Sequence, residues 1–374
     1  MGAFALAVAC VVLSLKKVPL LLSLALFATM AALAAVLWGF HIRRARTTPL
    51  SQEWRRFRDR VEETRAPRRC KRGPGRAVTC AQVKELHDFF RAHIRDRDMY
   101  YLCANIIKPL TQPYQLSFAE FVGPSCVCWF VSHFWGHCFR QFCESLHKHA
   151  ETFGASSTWK EQSYWICTFS NNQWEVAEEL GKGSWERSSF FLALHSGECA
   201  GTAMVLDERA LPLRRAWCLF EVLQTLLLLK EHGGDFHGLQ LCTLNGVLNE
   251  GQGGADMAVA VAEQLSTLCL RSAEASCEDD KVMIHRLVEG MPGGFDAVNG
   301  FVRAAIRGAV LRMQERFQEQ CRGIVDVLDG QVPEDFGALQ GQGLGRHANA
   351  CGSNGDTTSD SDESLLEGTS SEDS

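Results

Sequence analysis

Trp217-Cys218-Leu219-Phe220-Glu221 leads into the apolar run from Val222 to Leu229. On a helix, Trp217, Phe220 and Gln224 share one face, and Cys218, Glu221 and Thr225 lie beside it. One carboxylate thus stands among an indole, a phenyl ring, a thiol and a leucine. A charge so close to an apolar segment is costly unless it faces a cleft or has a partner. Glu221 is therefore the first functional candidate. The plain alternative is a surface glutamate on the solvated edge of an ordinary helix.

Around this helix, short apolar runs alternate with amphipathic stretches. Val127-Cys128-Trp129-Phe130-Val131 reads as a buried strand, and Phe139, Phe142, Cys143, Leu146 and Ala150 mark a helix. Tyr164 to Phe169 reads as a second strand, followed by the polar Ser170-Asn171-Asn172. Residues 188–196 suit a helix, Thr202 to Leu206 a third strand, and 213–231 the helix that carries Glu221. Leu239 to Leu244 is a fourth strand, 255–265 a helix, and 266–270 a candidate fifth strand. This alternation predicts an α/β fold, a parallel sheet flanked by helices. Ligands of such sheets bind beyond the carboxyl ends of the strands. Here those ends are Ser132-His133, Ser170-Asn171-Asn172 and Asp207-Glu208.

The flanks are unlike the centre. Residues 18–40 carry no charge, and as a helix they span about 34 Å, enough for a bilayer core of about 30 Å. Trp38 suits the interface, and the heavier basic flank (Arg43, Arg44, Arg46) follows the run, which predicts a single-pass protein with its bulk on the cytoplasmic side. A cleaved signal peptide with Ala32-Leu33-Ala34 at its cleavage site is the competing reading. Residues 41–76 hold thirteen Arg or Lys and four acids, with Pro67 and Gly73-Pro74-Gly75 as breaks. They read as a basic linker that anionic lipid would attract. Without aromatic interleaving or a known motif, nucleic acid is not the expected partner. Leu86, Phe89, Phe90 and Ile94 follow helical spacing, while Pro109 and Pro113 interrupt it. Helices are expected again at 279–289 and 297–320. Seven acids and no base fall within 352–374, so a net charge of −6 leaves residues 1–351 at +1 (−6 + 7). That tail has the composition of a disordered segment. The organisation expected is 1–40 membrane anchor or signal segment, 41–78 basic linker, 79–122 helical lead-in, 123–325 α/β domain with C-terminal helices, and 326–374 disordered acidic tail. The 16 cysteines are spread through apolar segments, which reads as free, buried thiols rather than a disulfide framework.

The order of these pieces resembles the TIR domain. TIR domains open with a strand ending in a Ser-containing turn, as Phe130-Val131-Ser132-His133 does. In plant-type members the helix after the third strand carries a Trp-Cys-Leu-x-Glu block, which Trp217 to Glu221 matches at every fixed position. The resemblance covers roughly residues 126–245. Ser132 to Gly136, and Tyr164-Trp165-Ile166-Cys167 with Asn171-Asn172, also look like uncharacterised protist proteins that carry the same blocks. Ser-x-x-Trp-Gly is similar to an opening block of fungal heterokaryon-incompatibility domains. The resemblance implies a flavodoxin-like, TIR-like sheet, to which the uncharged run 18–40 and the patterns outside 126–245 add an N-terminal transmembrane helix and extra helices. It implies NAD as a substrate rather than a cofactor, cleaved at the nicotinamide–ribose bond with Glu221 as the catalytic carboxylate. Ser132, His133, Asn171 and Asn172 would line the pocket, and Trp135 or Trp174 would stack on a ring. Self-association through the domain is also implied. A non-enzymatic TIR-like assembly module is the alternative. The chain departs from the family at Cys126-Val127-Cys128, where an acidic residue is usual, and in a long loop with Trp174, Gly181, Gly183 and Trp185.

Other chemistries find less support. His133, His137, Cys138, Cys143, His147 and His149 crowd one stretch, but no Cys-x-x-Cys pair accompanies them, and no metal site is expected. Cys143 with His147 lacks an orienting group for a nucleophile. No phosphate loop and no Gly-x-Gly-x-x-Gly after a strand is present.

Overall fold

The computed structural model describes residues 48–328 apart from 155–157, 208, 253–258, 264–269 and 276, together with 25, 27–34, 36 and 37. The candidate span 18–40 lies largely outside the described residues, as do the candidate strand 266–270 and the tail beyond 328. Among the described residues no helix is long and apolar enough to cross a membrane.

A mostly parallel sheet of six strands orders the domain. The strands are β1 (Val78–Thr79), β2 (Trp129–His133), β3 (Ser163–Ile166), β4 (Gly201–Val205), β5 (Leu239–Thr243) and β6 (Gly246–Val247), in the order β1-β3-β2-β4-β5-β6. β3, β2, β4 and β5 run parallel, and β1 and β6 pair antiparallel at the two edges. The parallel strands therefore enter as second, first, third and fourth, the order of flavodoxin-like sheets. The chain leaves β2 toward one side and returns to β4 on the other, so the crossover lies between β2 and β4.

Helices cover both faces. Before β2 come α1 (Pro49–Thr64), α2 (Cys80–Ile94), α3 (Met99–Leu102), α4 (Lys108–Thr111) and α5 (Phe118–Val122). Between β2 and β4 come α6 (Phe139–Phe153), α7 (Cys167–Ser170), α8 (Val176–Glu179) and α9 (Ser189–Leu194). α10 (Ala216–His232), α11 (Glu278–Glu289) and α12 (Gly294–Leu328) follow. Period-two alternation along the strands divides the core. Phe130, Trp165, Met204 and Leu241 pack with α10, α11 and α12. Trp129, Val131, Ile166 and Val205 pack with α1, α2 and α6 on the other face. α10 is apolar nearly all round, as a helix enclosed by two layers must be. Gly233, at φ 60°, ends it in a conformation that costs glycine little. One compact unit ends at Arg316; of the second, which begins at Phe317, the described part is the α12 residues to Leu328.

The structure alters several expectations. Residues 49–64 are not part of a linker. Thr48 caps α1, and Phe57 and Val61 are buried in the α2/α6 core. The arginines that suggested a solvated neck line the outer face of an amphipathic helix. Pro109 does not end its helix either. A π-helical turn, Cys103–Ile107, precedes it, and the Lys108 N–H bonds the Cys103 carbonyl. The widened turn absorbs the missing proline N–H, as interruptions of this kind do. β3 stops at Ile166, three residues early, because the chain turns into α7 and Ser170 Oγ accepts from the Ile166 N–H at 3.0 Å. All thirteen described cysteines are free.

Candidate active site

Glu221 lies in the first half of α10, and that helix lies against β2 and β4. Ser132, the fourth residue of β2, points to the same face. Its Oγ donates to Glu221 Oε2 at 2.5 Å. Thr225, one turn on, donates to the Glu221 carbonyl at 2.7 Å and meets Thr202 of β4 at 2.7 Å. A polar seam thus runs from the carboxylate to β4 inside an otherwise apolar layer. It sits at the carboxyl end of β2, beside the crossover where open α/β sheets bind ligands.

The surroundings of the carboxylate are neutral. Cys218 Sγ lies 3.6 Å from the His133 carbonyl, and Trp135 Nε1 donates to Cys167 Sγ at 3.1 Å. Burial pushes the Cys167 thiol up to about 12, and the Glu221 charge adds to that. Cys218 is raised well above its ordinary value for the same two reasons, burial first. Both thiols therefore stay protonated at neutral pH. Burial pushes Glu221 itself from 4.5 up to about 8, opposed only by the Ser132 hydrogen bond; no cation contributes. Yet Glu221 keeps partial exposure, as do Phe134, Trp135 and Cys167. The residue as a whole is largely enclosed, with part of it open to solvent. The raised value favours the protonated carboxyl at neutral pH.

The rest of the Trp-Cys-Leu-x-Glu block is structural. Trp217 Nε1 donates to Asp280 Oδ2 of α11 at 3.0 Å, which pins α10 to α11. Phe220 is buried against Trp185, Phe190 and Trp217 at ring separations of 5.2, 5.4 and 6.1 Å. These contacts fix the rotation of α10 that turns Glu221 toward Ser132.

The other candidates divide. Trp135 comes near the carboxylate through Cys167, and its ring meets Tyr100 at 5.4 Å. His133 faces away. Alternation along β2 sends it to the opposite side from Ser132, where it packs on Phe142 at 5.0 Å. It is buried, both ring nitrogens lack a partner, and burial with the nearby His137 lowers it to about 3. Asn172 is spent on the backbone: its amide donates to the Gln115 carbonyl at 3.0 Å and accepts from the Trp174 N–H at 3.1 Å. Trp174 Nε1 donates to Thr111 at 3.0 Å with Lys108 over the ring, which ties it to α4. Asn171 keeps a buried side-chain oxygen without a partner, so it makes no hydrogen bond through that oxygen to Ser132 or Glu221. Among the described residues no group of three His, Cys, Asp or Glu side chains could hold a metal ion.

One buried charge cluster escaped the reading of the sequence. Arg76 lies between Glu179 at 2.7 Å and Glu120 at 3.1 Å, and it also donates to the Cys70 carbonyl at 2.9 Å. Glu120 further accepts from the Ser117 N–H at 2.9 Å, and Glu179 from Ser189. The end of the basic segment is thereby locked to the loop after β3. The capping-box spacing of Ser117 and Glu120 was the only local sign of it. Comparison of the chain with protein-family models, with curated proteins and with solved structures finds no significant match.

Proposed function

We propose that the α/β domain is a TIR-like signalling module, held at a membrane by residues 18–40, that cleaves the nicotinamide–ribose bond of NAD with Glu221. One observation carries the reading. The acid of the Trp-Cys-Leu-x-Glu block reaches the carboxyl end of β2 and finds a serine hydroxyl there, not a cation. Cleavage of this bond passes through an oxocarbenium-like state. A carboxylate beside the ribose accepts from its hydroxyls and stabilises the positive charge that grows on the ring. Nicotinamide leaves as a neutral ring, so no strong general acid is needed. NAD also brings a pyridinium charge of its own, which favours the ionised carboxylate once bound. Trp135 offers a flat apolar wall. Attraction of the basic segment to anionic lipid supports the membrane placement, as do the helical residues 27–34 with Phe27, Met30 and Leu33 exposed.

The test is nicotinamide release from NAD by the purified full-length chain beside Glu221→Gln, the two matched by circular dichroism. Release that disappears in the variant is the expected result. Equal release in both would remove Glu221 from the chemistry. No release from either, even when crowded, would leave the second reading, an assembly module. A specific observation favours that reading too: Val176, which opens α8, and Leu180, which caps its end, are 46% and 38% exposed. A self-association contact would cover them.

A further inference from the structure

α12 is one helix to Leu328, but its buried positions end at Met313. Beyond that point apolar side chains stand in solvent: Phe317, Ile324, Val325 and Leu328 are 59%, 55%, 51% and 78% exposed. Cys321 is an exposed free thiol. Phe317, Cys321, Ile324 and Leu328 recur at steps of four, three and four residues. That spacing holds them in one narrow stripe, the pattern by which a helix packs against another helix. An uncovered stripe of this kind is costly in water and marks a contact surface.

Charge decides what covers it. Between 312 and 328, Arg312, Arg316 and Arg322 stand against Glu315, Glu319 and Asp326, a net charge of zero (3 − 3). A helix that lies on anionic lipid carries an excess of Lys and Arg on its polar side, and this one carries none. The positions that flank the stripe hold Gln318, Gln320, Val325 and Val327. Charges at such positions repel an identical helix or select an oppositely charged one. Here they are absent, so an identical stripe meets no like charge, and a different helix gains no charge pairing over it. We propose that residues 317–328 form a seam through which copies of this chain associate, α12 against α12, with Cys321 of one copy near Cys321 of another. Such a contact is self-complementary, as the interfaces of symmetric oligomers are. The inference rests on neither bond cleavage nor the exposed Val176 and Leu180.

The test is sedimentation equilibrium of the full-length chain in density-matched mild detergent, from about 1 to about 100 μM, the range in which small interfaces dissociate. The mass should rise above that of the monomer across this series. Ile324→Glu sets a charge in the seam at an exposed position, so the fold is kept, and it should move the rise to a concentration at least about tenfold higher. Glu319→Lys, on the opposite side of the helix, should leave the curve unchanged. A bismaleimide should cross-link wild-type chains, and Cys321→Ser should remove that cross-link; this readout needs no change in the apolar residues. A monomer throughout, association that Ile324→Glu leaves intact, or cross-linking undiminished in Cys321→Ser would overturn the proposal. Phosphatidylserine vesicles test the rival cover. Capture of the wild-type chain that Ile324→Glu abolishes, with the same mass for both proteins, would give the face to lipid and overturn the proposal as well.

Discussion

Replacing Glu221 by Gln should stabilise the protein, and by an amount that grows with pH. In the unfolded chain the carboxyl titrates near 4.5; in the fold, burial moves it to about 8. Between those values the folded state keeps a proton that the unfolded state has lost, so stability falls as pH rises across the window. Below 4.5 both states are protonated and the cost vanishes. The window covers about 3.5 pH units, each worth about 1.4 kcal/mol, for a ceiling of about 5 kcal/mol above pH 8. Solvent reaching the partly exposed residue reduces this, so about 2–3 kcal/mol is expected. Glutamine keeps the shape and can still meet the Ser132 hydroxyl, so little is lost in exchange. Guanidinium unfolding of the full chain and of the variant at pH 4.5, 7 and 8.5, followed by tryptophan fluorescence, reads the difference. Taking the difference cancels every other titrating group. Curves that separate progressively toward high pH are expected. A constant separation, or one that shrinks as pH rises, would mean that the carboxyl is ionised in the fold and that the account of the site is wrong.

Three further measurements bear on the architecture. Phe57→Ala should cost about 3–5 kcal/mol in the same unfolding assay, since Phe57 is buried in the core under α1; no effect would return residues 49–64 to the status of a linker. Arg76→Met should destabilise by about 3–5 kcal/mol by leaving Glu120 and Glu179 buried without their cation, and removing one of the two uncompensated carboxylates with Glu179→Gln, which returns the cluster to its original net charge, should recover part of it; a double variant no better than the single would refute the pairing. Burial lowers His133 and His149 to about 3, so the stability they contribute is present above pH 6.5 and is lost as pH falls toward 3. His133→Gln should therefore flatten the acid limb of the stability curve, and an unchanged slope between pH 6 and 4 would count against a buried neutral imidazole.

Much of this architecture was legible because it is locally encoded. β2, β4, β5, α6 and α10 fall within a few residues of where apolar runs and helical spacing put them, since the periods of strand and helix are properties of consecutive residues. Ser132 and His133 could also have been told apart, because neighbours on a strand face opposite sides. Reading them as one turn hid that. Composition misled at 41–78, where arginines on one face of α1 outweighed Phe57 and Val61 on the other. The identity of Glu221 as a charge set in an apolar helix was plain from five residues. Its chemistry was not. Ser132, Cys167 and Cys218 come from separate elements, and Ser132 stands 89 positions before Glu221. What raises the carboxyl to about 8 is the loss of water on nearly every side. Desolvation depends on how much protein fills the volume around a group, and that volume is assembled only when β2, α7 and α10 pack together.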